Sequence, residues 1–176
     1  MALHLIIDGY NLLGTRGLAR AFSGSDSEFA REQLLRDLSL YRQRRGHPIT
    51  LVFDGWQQGM GTERREHRVG VEVIYSRRGE RADQVVQRLA EEFGHDCAVV
   101  SSDREVADFA RARGAFVMSA QEFAAKLWAA PAPRRAIMVP KDLEAEELPR
   151  RTPDKKGNPR KLPKALRRRN RRLRGF

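Results

Sequence analysis

Short apolar runs alternate with stretches of helical period along this chain. Leu3 to Ile7 is a short apolar run, interrupted only by His4 and ending at Asp8, and reads as a buried strand opening the fold. A Gly/Ser-rich loop follows, through Ser27. Residues 28–45 then place Phe29, Leu34, Leu35, Leu38 and Tyr41 on one helical face, with Arg and Gln around it. His47-Pro48 breaks that helix before a second strand, Ile49 to Phe53. Gly55 to Gly61 reads as a loop, followed by a charged stretch and a third strand, Val71 to Tyr75. Helical spacing returns over residues 82–93 (Val85, Val86, Leu89, Phe93) and stops at Gly94. Cys97 to Val100 is a fourth strand and Ala115 to Met118 a fifth. The helix between them starts at Asp103, runs through Arg113 and ends at Gly114. A last helix covers Ser119 to Ala130, closed by Pro131 and Pro133. Alternation of this kind predicts βαβ units: a three-layer α/β/α fold around a mainly parallel sheet covered on both faces.

The polar residues at the strand ends carry the chemistry. Ile7-Asp8-Gly9-Tyr10-Asn11 puts a carboxylate where a hydrophobic strand stops, with a glycine for the turn. An ionised Asp in that position needs a cation, hydrogen-bond donors or water. Phe53-Asp54-Gly55 and Ser101-Ser102-Asp103 repeat the arrangement, and Asp83 lies in the first turn of the helix after the third strand. Ligands of parallel α/β sheets bind outside the carboxyl ends of the strands. Asp8, Asp54, Asp83 and Asp103 therefore converge on one edge. Two readings of such a set stand side by side. Carboxylates at strand ends serve as helix caps and turn formers, and Asp103 is the member most open to that reading. They also suit Mg²⁺ or Mn²⁺, hard cations that take oxygen ligands, usually with substrate phosphate. In that case Asp8, Asp83 and Asp103 supply the ligands and Asn11 a neutral amide partner. Arg77, Arg78 and Arg81, just before Asp83, would hold a phosphate backbone without specifying bases.

Charge divides the chain in two. Residues 1–133 carry 18 basic and 18 acidic side chains, whereas 134–176 carry 16 basic and 5 acidic, which is the whole net charge of +11. The expected organisation is a neutral domain, 1–133, and a Pro- and Arg-rich tail, 134–176. Arg167, Arg168, Arg169, Arg171 and Arg172 form the tail's densest block. Such a block points to nucleic acid or another polyanion, held by counterion release and weakened by salt. A solubilising end is the plain alternative. The single Cys97 excludes an internal disulfide framework and fits a reducing cytoplasm. No apolar run approaches the ~18 residues of a membrane span, and no signal peptide is visible.

Other chemistries have little support. The four histidines lack zinc-pair spacing and are expected in loops or at the surface. There is no dinucleotide or Walker sequence, no nucleophile elbow around Ser101-Ser102, and Tyr10 stands where an aspartate-dependent phosphatase would want a second Asp.

Taken together and in order, Ile7-Asp8-Gly9-Tyr10-Asn11, Phe53-Asp54-Gly55, Arg81-Ala82-Asp83 and Ser101-Ser102-Asp103-Arg104 resemble the NYN branch of the PIN-like ribonucleases, and within it the YacP-like group. The resemblance covers about residues 3–130. It implies a Rossmann-like α/β/α sandwich with a metal site at its carboxyl edge and endoribonuclease activity, with ribosome-associated cleavage of mRNA as the group's theme. It puts Asp8, Asp83 and Asp103 on the metal-binding positions, Asn11 beside the first, and Asp54 and Asp108 in supporting places. Arg104 joins the RNA-facing arginines. A PIN-like module that docks on ribosomal RNA without cutting is the alternative. A metal-dependent DNA nuclease or nucleotide phosphatase would share the same site.

Overall fold

The computed structural model describes residues 2–16, 25–55 and 61–129, with Arg169 and Leu173 beyond them; of Ser25 and Asp26 only the backbone is described. The chain divides into two units, Met1–Ala129 and Ala130–Phe176. Arg169 and Leu173 are helical residues of the second, and the rest of the basic tail lies outside the described residues.

Six strands form one sheet: β1 (His4–Asp8), β2 (Ile49–Phe53), β3 (Arg64–Arg68), β4 (Val71–Tyr75), β5 (Cys97–Val100) and β6 (Phe116–Met118). Their order across the sheet is β3-β4-β2-β1-β5-β6. Every pairing is parallel except β3 with β4. Among the described residues the helices are α1 (Gly9–Gly14), α2 (Ser25–Arg45), α3 (Ala82–Phe93), α4 (Arg104–Ala112) and α5 (Ala120–Leu127), with a 3-10 turn at Gly94–Asp96. The five strands expected from apolar runs are present. Buried on both faces, they show the continuous hydrophobic runs of a covered parallel sheet.

β3 was not expected from the hydrophobic pattern. Its sequence, Arg-Arg-Glu-His-Arg, has no apolar residue, and it is mostly exposed at the sheet edge. Charged side chains are how an edge strand avoids pairing with a second chain. Here they pair locally instead, Arg64 with Glu66 at 2.6 Å and Arg65 with Glu63 at 2.8 Å. The turn to β4 runs through Val69 (φ 46°) and Gly70 (φ 81°), a two-residue hairpin loop. Ser39 of α2 donates to the Val69 carbonyl at 2.7 Å and fixes the turn.

Two helical layers cover the sheet. On one face α3 and α4 bury Val85, Val86, Leu89, Val106 and Ala110 against Ile6, Val52, Ile74 and Val99. On the other, α1, α2 and α5 contribute Leu12, Leu34, Leu38, Tyr41 and Phe123, with Tyr41 and Phe123 in an edge contact at 5.2 Å. Phe29, expected on the inward face of α2, is 71% exposed. It falls a turn before Leu34 and on the outer side, since Ser27 and Ala30 take the inward positions. Cys97 is fully buried, its Sγ 3.3 Å from the Gly94 carbonyl. One histidine departs from expectation: His4 sits in β1, 2.7 Å from Thr50 Oγ1, whereas His47 lies in the loop before β2, buried and within 3.0 Å of the Leu3 carbonyl.

Gly9 is required for a reason other than turn flexibility. Its φ is not positive. A Cβ there would stand 2.3 Å from the Phe53 ring, so the β1–α1 junction packs backbone directly on an aromatic face. Gly9→Ala should cost about 1–3 kcal/mol through overpacking, read as a lower midpoint in denaturant. Phe53→Leu in the same chain should recover part of that loss, and strictly additive losses would contradict the contact.

Candidate functional site

β1 is central in the sheet, and the chain leaves it in both directions, to β2 on one side and to β5 on the other. The crevice at such a switch point lies between β1 and β5, at their carboxyl ends. Asp8 ends β1 there. The N-termini of α1, α3, α4 and α5 follow strand ends at the same edge, each presenting backbone N–H groups and a partial positive charge.

Every strand-end aspartate is tied to one of those helix starts through its Oδ1. Asp8 accepts from the Asn11 N–H at 3.0 Å and caps α1. Asp103 accepts from Glu105 N at 2.8 Å and Val106 N at 3.2 Å and caps α4. Asp54, at the end of β2, reaches across to Ala82 N at 2.5 Å and receives the first turn of α3. The sequence left its role open; the geometry makes it the carboxylate that joins β2 to α3. Gly55 packs so closely that a Cβ would lie 2.0 Å from the Ser76 carbonyl oxygen, and its N–H donates to Ser76 Oγ at 3.1 Å. Asp83, in the first turn of α3, pairs with Arg81 at 2.6 Å.

Asn11 links two loops. Its Oδ1 accepts from Ser102 N at 3.1 Å, so α1 and the β5–α4 loop are fastened across the switch point. Ser101 Oγ accepts from Asp103 N at 3.1 Å. Ser102 Oγ accepts from Ala120 N at 3.1 Å and donates to Gln121 at 2.7 Å. Two serines that offered no nucleophile motif thus orient Asp103 and the start of α5.

The carboxylates feel one another. Asp8 is 6% exposed. Its pKa is pushed up to about 6, first by burial and then by the charges of Asp83, Asp54 and Asp103, against one opposing N–H from Asn11. Asp83 is also raised, by burial first, with Asp103, Asp54 and Glu105 adding to it and Arg81 opposing. Glu105 therefore belongs to this acidic group. Asp108, expected near Asp103, is exposed and pairs with Arg111 at 2.6 Å. Helix geometry separates the two: Glu105 stays in the first turn of α4, whereas Asp108 is about 7.5 Å along the axis from Asp103 at 1.5 Å per residue.

The basic residues flank this edge. Arg77 pairs loosely with Glu80 at 3.5 Å, and Arg81 with Asp83. Arg78 and Arg104 are exposed at the β4–α3 loop and the start of α4. Of the tail arginines, Arg169 is exposed, and Arg167, Arg168, Arg171 and Arg172 lie outside the described residues. Among the described residues no three His, Cys, Asp or Glu side chains close into a cation cage. The donor chemistry nevertheless fits a hard divalent ion: oxygen only, anionic, and mutually repelling in a way that a cation relieves. Asp83 would have to exchange Arg81 for it.

Fold and edge together are those of a PIN-like α/β protein. The sequence profile of the YacP-like NYN domain matches residues 5–167, and the chain belongs to that family, part of the PIN-like nuclease superfamily. The protein named uncharacterized protein YacP, from Bacillus subtilis, is 31% identical over 88 residues, 49% of this chain and 51% of that one. The matched stretch thus spans about half of that relative. The crystal structure of Rae1 (YacP) from Bacillus subtilis is similar at 26% identity and a TM-score of 0.57, over 72% of this chain and 74% of that one. A tryptophan-to-leucine variant of Rae1 gives 27% identity and a TM-score of 0.59, over 72% and 75%. No helix among the described residues is long and apolar enough to cross a membrane.

The raised pKa of Asp8 has a stability consequence. The folded chain holds the Asp8 proton to about pH 6, above the ~3.9 of an unperturbed Asp. The folded state therefore binds more protons in that window, and stability falls as pH rises from about 4 to 6. Asn at this position keeps the acceptor for Asn11 N and removes the charge. In EDTA, Asp8→Asn should be more stable than wild type above pH 6, by on the order of 2–3 kcal/mol. The two unfolding curves should converge below pH 4; a variant less stable at pH 7 would contradict the argument.

Proposed function

We propose that this protein is an endoribonuclease that hydrolyses phosphodiester bonds in RNA with Mg²⁺ or Mn²⁺. The observation that carries the reading is the convergence of Asp8, Asp54, Asp83 and Asp103 on one edge, where burial first, and then the charges of the other three, raise Asp8 to about 6. Membership of a nuclease superfamily supports it. Caps alone do not require four carboxylates within reach of one another; like charges so placed cost stability unless something positive joins them.

Asp8, Asp83 and Asp103 would hold the metal. When bound it lowers the pKa of an attacking water and screens phosphate charge. The chain's own residues do the rest. Asn11 holds the β5–α4 loop, and with it Asp103, in register with Asp8. Asp54 holds the start of α3, and with it Asp83. Arg78 and Arg104, exposed on either side, grip the backbone flanking the scissile phosphate; Arg77 and Arg81 join them by leaving Glu80 and Asp83. Contacts of this type position RNA without reading its bases. mRNA on the ribosome is the substrate we favour, with the basic tail binding ribosomal RNA, and the cytoplasm is where such a substrate would be met.

The competing reading is a non-catalytic RNA- or ribosome-binding module, and one observation favours it: Asp8, Asp54 and Asp103 already work as helix-start acceptors. The two readings separate on mutation. Asp8→Asn and Asp83→Asn should lower Mn²⁺-dependent cleavage by roughly a hundredfold or more, about 2.7 kcal/mol of transition-state stabilisation, while RNA binding stays within about twofold. The assay is cleavage of an mRNA, free and in a translating-ribosome mixture, with Mn²⁺ or with EDTA. Undiminished cutting by both variants refutes the assigned site. Absence of cutting by wild type in every condition, with salt-sensitive RNA binding retained, selects the binding module.

A further inference from the structure

Arginines of the domain fall into two groups. Along β3, α3 and α4 most are neutralised in place, Arg104 excepted: Arg64 by Glu66, Arg68 by Glu32, Arg88 by Glu63 and Glu80, and Arg113 by Glu91. On the second half of α2 they are not. Arg36, Arg42, Arg44 and Arg45 are all exposed, and among the described residues none has a carboxylate partner. The two acidic residues of the helix nearest to them are already engaged. Asp37 accepts from Trp128 Nε1 at 2.7 Å and lies 3.8 Å from Arg16, while Glu32 holds Arg68. Only Arg44 is held locally, its Nε donating to the Leu40 carbonyl at 3.3 Å.

Basic residues in a last helical turn complement the helix dipole, and that explanation is insufficient here. The carboxyl end of a helix carries roughly half a negative charge. Three arginines in the last turn, Arg42, Arg44 and Arg45, exceed it severalfold, and Arg36 lies more than two turns from the end. The excess potential reaches the neighbouring helix: burial first, and then Arg45, push the Lys126 ammonium below its ordinary value.

The position of this face is fixed by topology. α2 carries the chain from the carboxyl edge back to the start of β2, which runs parallel to β1. Its last turns therefore lie at the edge of the sheet opposite the aspartates. A five-residue strand separates the two edges by roughly 17 Å. From Arg36 to Arg45 the arginines extend about 13 Å along the helix axis, and at 3.6 residues per turn Arg36 and Arg44 lie on one side of it and Arg42 and Arg45 on another.

We propose that the second half of α2, through Arg36, Arg42, Arg44 and Arg45 set around it, is a phosphate-binding surface for an RNA backbone, separate from the acidic edge. RNA as the ligand rests on the ribonuclease reading of that edge; the surplus charge does not. A protein partner is the weaker match. Protein interfaces centre on aromatic or aliphatic anchors in desolvated pockets, and here Leu40 is the one exposed large apolar side chain of the half-helix among the described residues. Arginine forks with free donors suit phosphate oxygens. An RNA held on this face and crossing to the acidic edge would be gripped at two places, with the scissile bond a strand-length from the first.

The test uses the full chain and a fluorescently labelled RNA hairpin, in EDTA so that nothing is cut, with anisotropy read from 50 to 200 mM salt. The proteins are wild type, Arg36→Ala/Arg42→Ala/Arg44→Ala/Arg45→Ala, Arg36→Glu/Arg45→Glu, and Asp8→Asn. Each phosphate contact contributes about 0.9 to the slope of log K against log salt. The fourfold variant should lose about 3 from that slope and at least about tenfold in affinity near 150 mM salt. The double charge reversal, at two positions that fasten nothing in the fold, should lose affinity even where the fourfold variant is misfolded by circular dichroism. Asp8→Asn, which removes a charge that repels phosphate, should bind no more weakly than wild type, so a failure of the nuclease reading leaves this measurement intact. Unchanged slope and affinity in a folded double variant overturn the proposal. Loss of binding to polyglutamate with RNA binding kept also overturns it, and assigns the face to an acidic protein.

Discussion

A buried carboxylate at the end of the central strand is the constraint around which this domain is arranged. Asp8 has left water and receives one backbone N–H in exchange. Desolvating an ionised group so sparsely satisfied is unfavourable, and three further carboxylates nearby make it more so. The fold offsets part of this by aiming helix N-termini at the same edge. Each supplies about half a positive charge and a set of free donors. Dipoles do not restore Asp8 to an ordinary acidity, as its value of about 6 records. The remaining strain is local, and it is electrostatic rather than steric.

Capping and ligation are usually set against each other as explanations of a strand-end aspartate. In this structure they are compatible. A carboxylate has two oxygens and about four lone-pair directions, and Asp8, Asp54 and Asp103 each commit Oδ1 to a helix start. The cap then acts as a positioning device. It fixes the side-chain rotamer and leaves the second oxygen directed by the backbone rather than by a floppy side chain. Groups that bind must be held by groups that do not. Asn11 and Ser101 belong to that second class: both hold the loop bearing Asp103, and Asn11 also gives its N–H to Asp8.

Which parts of this could be read from sequence follows from burial. β1, β2, β4, β5 and β6 announce themselves because a parallel strand covered on both faces must be apolar throughout. β3 is silent because an edge strand is selected against that same pattern. The acidic edge was readable because each Asp follows an apolar run, whereas the identity of the fourth neighbour was not. Asp108 and Glu105 are equally acidic in sequence, and only the start of α4, set by Asp103 as its cap, decides which of them remains near the edge. Gly9 was recognised as a turn glycine, but its necessity comes from Phe53, a residue on the next strand of the sheet. Contacts between segments distant in sequence leave no local signal.

Net charge hides the most consequential electrostatic property of the domain. Eighteen basic and eighteen acidic residues over positions 1–133 cancel in a sum, yet they do not cancel in space. Where β3, α3 and α4 interleave, pairs form and the field is short-ranged, since exposed opposite charges in contact are largely screened beyond about 10 Å. At the carboxyl edge anions crowd together, and on the second half of α2 cations do. The domain is therefore polarised along its strands. A polyanion meeting it is repelled by the edge where Asp8 lies and attracted at the other end, so a charged substrate reaches the aspartates only if arginines guide it there. On the proposed function, Arg78 and Arg104 would provide that guidance at the edge itself. An acidic site can work on RNA only when the protein carries its attraction for RNA somewhere else, and on the proposed function segregation of charge within a neutral domain would meet that requirement.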